Sequence, residues 1–185
     1  RGLVGSEMCI RDSVQPGGKG FCEMGQVVKA LDVISGKVDR SMGDVHPSGN
    51  PHFHLGPSRL LQAAGLVYEK LVALDPSGSS YYSTQRKKLE NKMQKLKAEV
   101  REQIANFINK HPDFKVVEYH KEFTYFLSEF GIQSQGAIEE KPGVAPSAGR
   151  VARIAIEAKR GKVKVALATL HSPKDLLKKF TEISA

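Results

Sequence analysis

The sequence predicts an α/β protein in which two lobes are joined by one long linking helix. The first observation behind this prediction is an apolar stripe at helical spacing in a long, highly charged segment between Tyr81 and His111. The second is a regular alternation of strand-like and helix-like segments after Pro112, with short loops between them. Such alternation indicates parallel βαβ units, and ligands bind at the carboxyl ends of the strands in such sheets.

The first 13 residues, RGLVGSEMCIRDS, do not look native. They carry no periodicity and no helix cap, and they resemble the translation of a sequencing adapter. We therefore expect residues 1–13 to be non-native and disordered. The native N-terminus, with any export signal, would then be missing from this chain.

The remainder of the first lobe is predicted to cover residues 14–80. QVVKALDVI (residues 26–34) is apolar enough for a strand or a short buried helix, and its period does not decide between them. Residues 35–52 are rich in Gly, Pro, Ser and Asp, which is typical of a loop. A helix should begin at Pro57 and end at Asp75, because a residue that precedes proline is disfavoured in the helical region.

The linking helix is predicted for residues 81–111, with Ser83 as its N-cap and Pro112 just past its end. Its stripe is narrow, which suits a strut that packs along one side only. The helix carries eight of the chain's basic residues and three acidic ones, and so accounts for most of the formal net charge of +8. A solvated face explains this charge, and a basic adaptor for nucleic acids is the alternative.

The C-terminal lobe is predicted for residues 112–185. It should contain strands in FKVVEY, IQSQGAIEE and VKVALAT, and helices in HKEFTYFLSEFG, PSAGRVARIAIEAKRGK and SPKDLLKKFTEIS. Ser147 and Gly161 are expected to bound the second of these helices, and Ser172 to cap the third. His120 follows the first strand directly, where a parallel sheet presents functional residues.

Three of the six histidines, His46, His52 and His54, lie in one loop that is rich in glycine and proline. Neutral imidazole is a common ligand for zinc and neighbouring metals, and a rigid loop lowers the cost of presenting it. The pattern leaves three explanations open, which are a metal site, surface histidines and a catalytic base. The two cysteines form neither a metal-type pair nor a disulfide framework, and no apolar run is long enough to cross a membrane.

Several motifs together resemble a known family. They are GDVHPSGNPHFHL, then the long polar helix, then VVEYHKEFTYFLSEFGI and GAIEEKPGVAPSAGRVARIA. This order and spacing is similar to that of zinc/manganese-type substrate-binding proteins of metal ABC importers, from about Gly17 to Ala185. The resemblance implies two Rossmann-like lobes joined by a long helix, with a metal ion between them. It also implies that the N-terminal lobe and the end of the C-terminal lobe are incomplete here.

The resemblance assigns roles to individual residues. His52 and His120 match metal ligands, and the histidine at position 120 favours Zn²⁺, because manganese-preferring relatives often have Glu there. Mn²⁺ remains possible. Glu139 matches a Glu near the site and is expected to support a ligand, although Glu140 replaces the family's usual Pro. Further ligands are implied upstream of Val14 and beyond Ala185.

The function implied by the resemblance is capture of a divalent metal ion in the periplasm, or at a lipid anchor outside the membrane. The ion would then pass to the membrane permease of an ABC importer. We expect a monomer that is not an enzyme and does not bind nucleic acid. The alternatives are the basic adaptor and a metal-dependent hydrolase, in which Glu139 or Asp44 would be the general base.

Overall fold

The computed structural model describes residues 15–36, 39, 42, 43, 46 and 48–185. The predicted non-native segment 1–13 lies outside these residues, as does Asp44. The helices and strands are α1 (Pro57–Leu74), α2 (Ser79–Lys110), β1 (Lys115–Glu118), α3 (Thr124–Phe130), β2 (Gln133–Ala137), α4 (Ala148–Arg160), β3 (Val165–Leu167) and α5 (Lys174–Ser184). The chain forms two compact units, and the predicted domain boundaries at residues 80 and 111 stay predictions.

Among the described residues, the first unit contains residues 15–29 and Pro57–Lys97. Within it α1 packs on the first part of α2, where the guanidinium carbon of Arg86 lies 5.0 Å from the ring centre of Tyr68. A short 3₁₀ helix, Pro76–Gly78, leads from α1 straight into α2. Ser83 therefore lies inside α2, and the prediction that it caps the helix is wrong.

Asp75 stabilises the turn between α1 and α2. Its carboxylate accepts hydrogen bonds from the Ser77 hydroxyl at 2.5 Å, from the Tyr82 hydroxyl at 2.8 Å and from the Gly78 amide at 3.2 Å. These donors favour the charged form, so they lower the pKa of Asp75 below its ordinary value. The turn can therefore begin α2 at Ser79, earlier than the sequence pattern indicates.

The second unit contains Ala30–Gly56 and Ala98–Ala185. Its three strands form a parallel sheet in the order β2-β1-β3, with β1 in the centre. Val116 of β1 pairs with Ser134 on one side and with Val165 on the other. The core lies between the sheet and two helices, and its buried side chains include Val117, Ile138, Val151, Ala155 and Phe180. The parallel α/β sheet confirms the predicted fold class.

The boundaries of α4 agree with the sequence, whereas the cap of α5 does not. The Ser147 hydroxyl accepts from the Arg150 amide at the start of α4, and Gly161 caps its end. Helix α5 begins after Pro173 without a side-chain cap. The Ser172 hydroxyl instead accepts from the Thr169 amide, 3.2 Å away, so the prediction that Ser172 caps this helix is wrong.

The segment 26–34 forms neither the strand nor the buried helix that its apolar residues suggested. This segment contains only the end of a 3₁₀ helix, Met24–Val27, and then extended and bent backbone. The reason is visible at Leu31, whose amide donates to the Tyr125 hydroxyl and whose carbonyl accepts from the Asn50 amide. These bonds tie the backbone to a loop and a helix instead of a strand. Within the described residues, no helix is both long and apolar enough to cross a membrane.

Candidate metal centre

A tight turn presents His52. The His46 carbonyl accepts from the Gly49 amide at 3.0 Å, and His52 begins the 3₁₀ helix Phe53–Leu55. Gly49 has a φ of +111°, and a Cβ there would lie 2.8 Å from both the Ala30 Cβ and the Leu31 carbonyl oxygen. Only glycine fits this backbone and this space without strain, so the position of the histidine loop depends on it.

His120 lies beyond the carboxyl end of β1, the edge where parallel sheets present ligand-binding groups. Its Nδ1 atom is 2.6 Å from Oε2 of Glu139, which follows β2. The other carboxylate oxygen of Glu139 accepts from the Gly143 amide at 2.8 Å. Glu122 lies two residues further on, and its amide donates to the His120 carbonyl oxygen at 2.7 Å.

His52, His120 and Glu122 come together in the second unit. One possible ligand atom from each residue lies within 4.8 Å of the other two. The ring centres of the two histidines are 5.4 Å apart and nearly perpendicular. Ligand atoms around a tetrahedral zinc ion lie roughly 3.4 Å apart. The three ligand atoms would therefore need to move only slightly closer together to bind one zinc ion.

The cluster opens into a cavity of about 270 Å³, whose lining includes Asp32, His46, Asn50, His52 and His120. Burial lowers the pKa of His52, and the nearby His120 lowers it further. Its imidazole is therefore held in the neutral form that can bind a metal ion. Two nitrogen donors and one carboxylate donor form a set that suits a divalent first-row metal.

The structure places the two predicted ligands, His52 and His120, side by side, with Glu139 in contact with His120. Their roles in metal binding stay predictions. Sequence reasoning missed Glu122, although the spacing of His120-Lys121-Glu122 offered a signal: a carboxylate two residues after a candidate ligand. The other two histidines of the loop are not part of the three-residue cluster. His46 lines the cavity, and the ring centre of His54 lies 6.3 Å from that of His52.

A family model described as zinc-uptake complex component A, periplasmic (ZnuA), matches residues 13–183. The chain belongs to the ZnuA family. Members of this family are metal-binding components of importers and not enzymes, so the predicted resemblance and the predicted absence of enzymatic activity are confirmed. No curated protein matches the chain significantly.

Solved structures share the fold of this ZnuA-family chain. FpvC from Pseudomonas aeruginosa in complex with Ni²⁺ is 21% identical over 99% of this chain and 63% of its own, with a TM-score of 0.70. A ZnuA crystal structure is 22% identical over 89% of this chain and 58% of its own, with a TM-score of 0.67. The laminin-binding protein Lmb of Streptococcus agalactiae, described as having adhesin and metal-transporting activity, is 18% identical over 88% and 56%, with a TM-score of 0.70. The ZnuA-family chain thus spans less than two thirds of each of these proteins.

Proposed function

We propose that this chain captures a divalent metal ion, with Zn²⁺ as its preferred cargo. His52, His120 and Glu122 would bind the ion, and Glu139 would hold His120 in position. The observation that carries the proposal is the convergence of these three donor groups within 4.8 Å of one another. Burial and the nearby His120 disfavour the charged form of His52, so the imidazole is neutral, as a metal ligand must be.

The preference for zinc rests on the donor atoms. Imidazole nitrogen suits zinc and its neighbours, whereas sites rich in carboxylates suit manganese. Two of the three converging groups are imidazoles. A role in binding divalent metals is further supported by FpvC, whose structures were determined in complex with Mn²⁺ and with Ni²⁺. Mn²⁺ is therefore the competitor against which the preference must be measured.

Family membership supports the rest of the proposed role. The chain would act as a monomer in the periplasm, or at a lipid anchor outside the membrane, and deliver the ion to the permease of an ABC importer. It would not bind nucleic acid. The basic residues of α2 fit a solvated surface, since no side chain of this helix is buried and Arg86 pairs with Glu90 at 2.8 Å.

The test is a zinc titration of the metal-free chain against a chelator of known affinity. Loss of a residue that only supports a metal ligand lowers metal affinity by roughly 10- to 100-fold. The single variants His52→Ala and His120→Ala each remove a ligand, so each should lose more zinc affinity than that. Glu122→Ala should weaken binding in the same direction. His111→Ala is the matched control, because this exposed histidine precedes β1 and so lies at the opposite end of that strand from His120, and it should bind as the original chain does.

Two results would contradict the proposal. One is unchanged zinc affinity in both histidine variants while circular dichroism shows that they are folded. The other is tighter binding of Mn²⁺ than of Zn²⁺ in a direct competition, which would reject zinc as the preferred cargo while leaving divalent-metal capture in place.

A further inference from the structure

Asn50 uses every polar group it has. Its amide donates to the Leu31 carbonyl at 2.8 Å, and its own carbonyl accepts from the Tyr125 hydroxyl at 2.7 Å. Its side chain makes five more polar contacts, in which the two hydrogens of Nδ2 are shared among three acceptors. The Oδ1 atom contacts the backbone amide and Nδ1 of His52, both at 2.9 Å, and Nδ2 contacts the Lys121 carbonyl at 2.7 Å, Thr124 Oγ1 at 3.2 Å and Asp32 Oδ2 at 3.2 Å.

The backbone partners fix which end of the Asn50 amide is which. A backbone amide such as that of His52 can only donate, so the atom facing it must be the oxygen. A backbone carbonyl such as that of Lys121 can only accept, so the atom facing it must be the NH₂ group. Both assignments agree, and the flip ambiguity of asparagine side chains is resolved here by these contacts.

The oxygen of Asn50 in turn decides the tautomer of His52. Because Oδ1 is an acceptor, the ring atom 2.9 Å from it, Nδ1, must carry the hydrogen. In the neutral imidazole the lone pair then lies on Nε2. The hydrogen bond of His120 Nδ1 to the Glu139 carboxylate leads to the same tautomer in the second ring. Both histidines are thus left with Nε2 as the free ligand atom.

We propose that Asn50 is a positioning residue of this site, which holds His52 in the tautomer with a free Nε2 and ties the histidine loop to the turn that carries His120. This inference rests on the proposed metal-binding function. The tie passes through Lys121, the residue directly after His120, and through Thr124, the first residue of α3. One amide therefore sets both the orientation of one ligand and its distance from the next.

Asp32 supports this arrangement from the other side. Its Oδ2 atom accepts from both Asn50 Nδ2 and the Thr124 hydroxyl, each at 3.2 Å. Asp32 has a φ of +54°, a conformation that costs energy for a residue other than glycine. The hydrogen bonds to its carboxylate offset that cost, and they leave the Asn50 amide no freedom to turn around.

The decisive experiment measures the ring ¹⁵N chemical shifts of His52 in the metal-free chain. It should be run at about pH 8, where imidazoles with an ordinary pKa near 6.5 are neutral. In the original chain we expect a pyrrole-type Nδ1 and a pyridine-type Nε2. In Asn50→Ala the two shifts should move towards the averages of a tautomer mixture, and zinc affinity should fall by about 10- to 100-fold.

Two further variants separate the two roles of Asn50. Asn50→Asp keeps an acceptor for His52 Nδ1 but loses the donors to Lys121 and Thr124 and sets a second carboxylate against Asp32, so it should retain the tautomer while chemical denaturation shows a less stable chain. Thr124→Val removes one bond of the tie and leaves the contact to His52 intact, so its His52 shifts should match those of the original chain while its zinc affinity falls; an unchanged affinity would contradict the tie. This variant also keeps the test usable should Asn50→Ala fail to fold.

The inference is overturned if Asn50→Ala folds and retains the original His52 shifts, or if the shifts change while zinc affinity does not. A pyridine-type Nδ1 in the original chain would also overturn it. Failure of the proposed function looks different: the original chain would then bind no zinc, while the ¹⁵N shifts, which need no metal, would still report whether Asn50 selects the tautomer.

Discussion

The Nδ1 atom of His120 and the Oε2 atom of Glu139 lie 2.6 Å apart, although 19 residues separate them in the sequence. The parallel sheet produces this contact. Strands β1 and β2 are neighbours that end at the same edge, so His120, which follows β1, lies beside Glu139, which follows β2. A carboxylate behind an imidazole fixes the ring orientation and raises the basicity of the opposite nitrogen.

Glu139→Gln should therefore weaken zinc binding by about 10- to 100-fold without removing a ligand. The amide keeps the size of the side chain but lacks its charge. A chelator competition measures the loss. Glu140→Gln is the matched control, since this exposed neighbour makes the same chemical change one residue away and should leave affinity unaltered. Equal affinities of the two variants would contradict the role of Glu139.

Gly49→Ala should destabilise the chain by about 1–3 kcal/mol, because it places a Cβ against Ala30 and Leu31 at a positive φ. The same change should weaken zinc binding, since it displaces the loop that carries His52. Chemical denaturation and chelator competition measure the two effects. In Gly149→Ala, by contrast, nothing lies within 4 Å of the added Cβ in α4, and stability should hold or rise. A tolerated Gly49→Ala would show that the turn can relax.

Tyr125→Phe should lower the free energy of unfolding by about 1–3 kcal/mol. The Tyr125 hydroxyl accepts from the Leu31 amide at 3.0 Å and donates to the Asn50 carbonyl at 2.7 Å, and both groups lose their partner in the variant. Urea denaturation measures the change. Tyr81→Phe removes a hydroxyl from a ring that is 64% exposed and should cost little. A similar cost for both variants would argue against the hydroxyl as a structural link.

Acid should weaken the turn that contains Asp75. Since the pKa of Asp75 is lowered in the folded chain, the unfolded chain takes up the proton first as the pH falls. The contribution of Asp75 to stability is thus fully present above its ordinary pKa of about 3.8 and is lost as the pH falls through the lowered folded value. Denaturation curves of the original chain and Asp75→Asn should converge as the pH falls below about 4. Parallel curves over that range would contradict the assignment.

The helices and the sheet could be predicted because their signals are local. The apolar stripe of the linking helix lies within the helix that it predicts, and the caps Ser147 and Gly161 directly flank α4. Ser83 and Ser172 failed as caps for a different reason. Neighbouring groups supplied competing hydrogen bonds: the Asp75 turn started α2 earlier, and Thr169 engaged the Ser172 hydroxyl.

The candidate site could be predicted only in part. His52 and His120 carry a chemical signal in their residue type, whereas Asn50 owes its importance to partners that lie 71 and 74 residues away. The prediction of a strand or buried helix at residues 26–34 is wrong for the same reason, because the Leu31 amide bonds to the Tyr125 hydroxyl, 94 residues away, instead of to a strand. Contacts at that range leave no periodicity in the sequence.

Helix α2 buries none of its side chains from Ser79 to Lys110. Substitutions on such a surface usually change stability by less than about 0.5 kcal/mol. The solvent-facing positions of this helix are therefore convenient for chemical attachment. A cysteine introduced at Lys88 or Lys92, which are both exposed, could carry a fluorescent dye at little cost to the stability of the first unit.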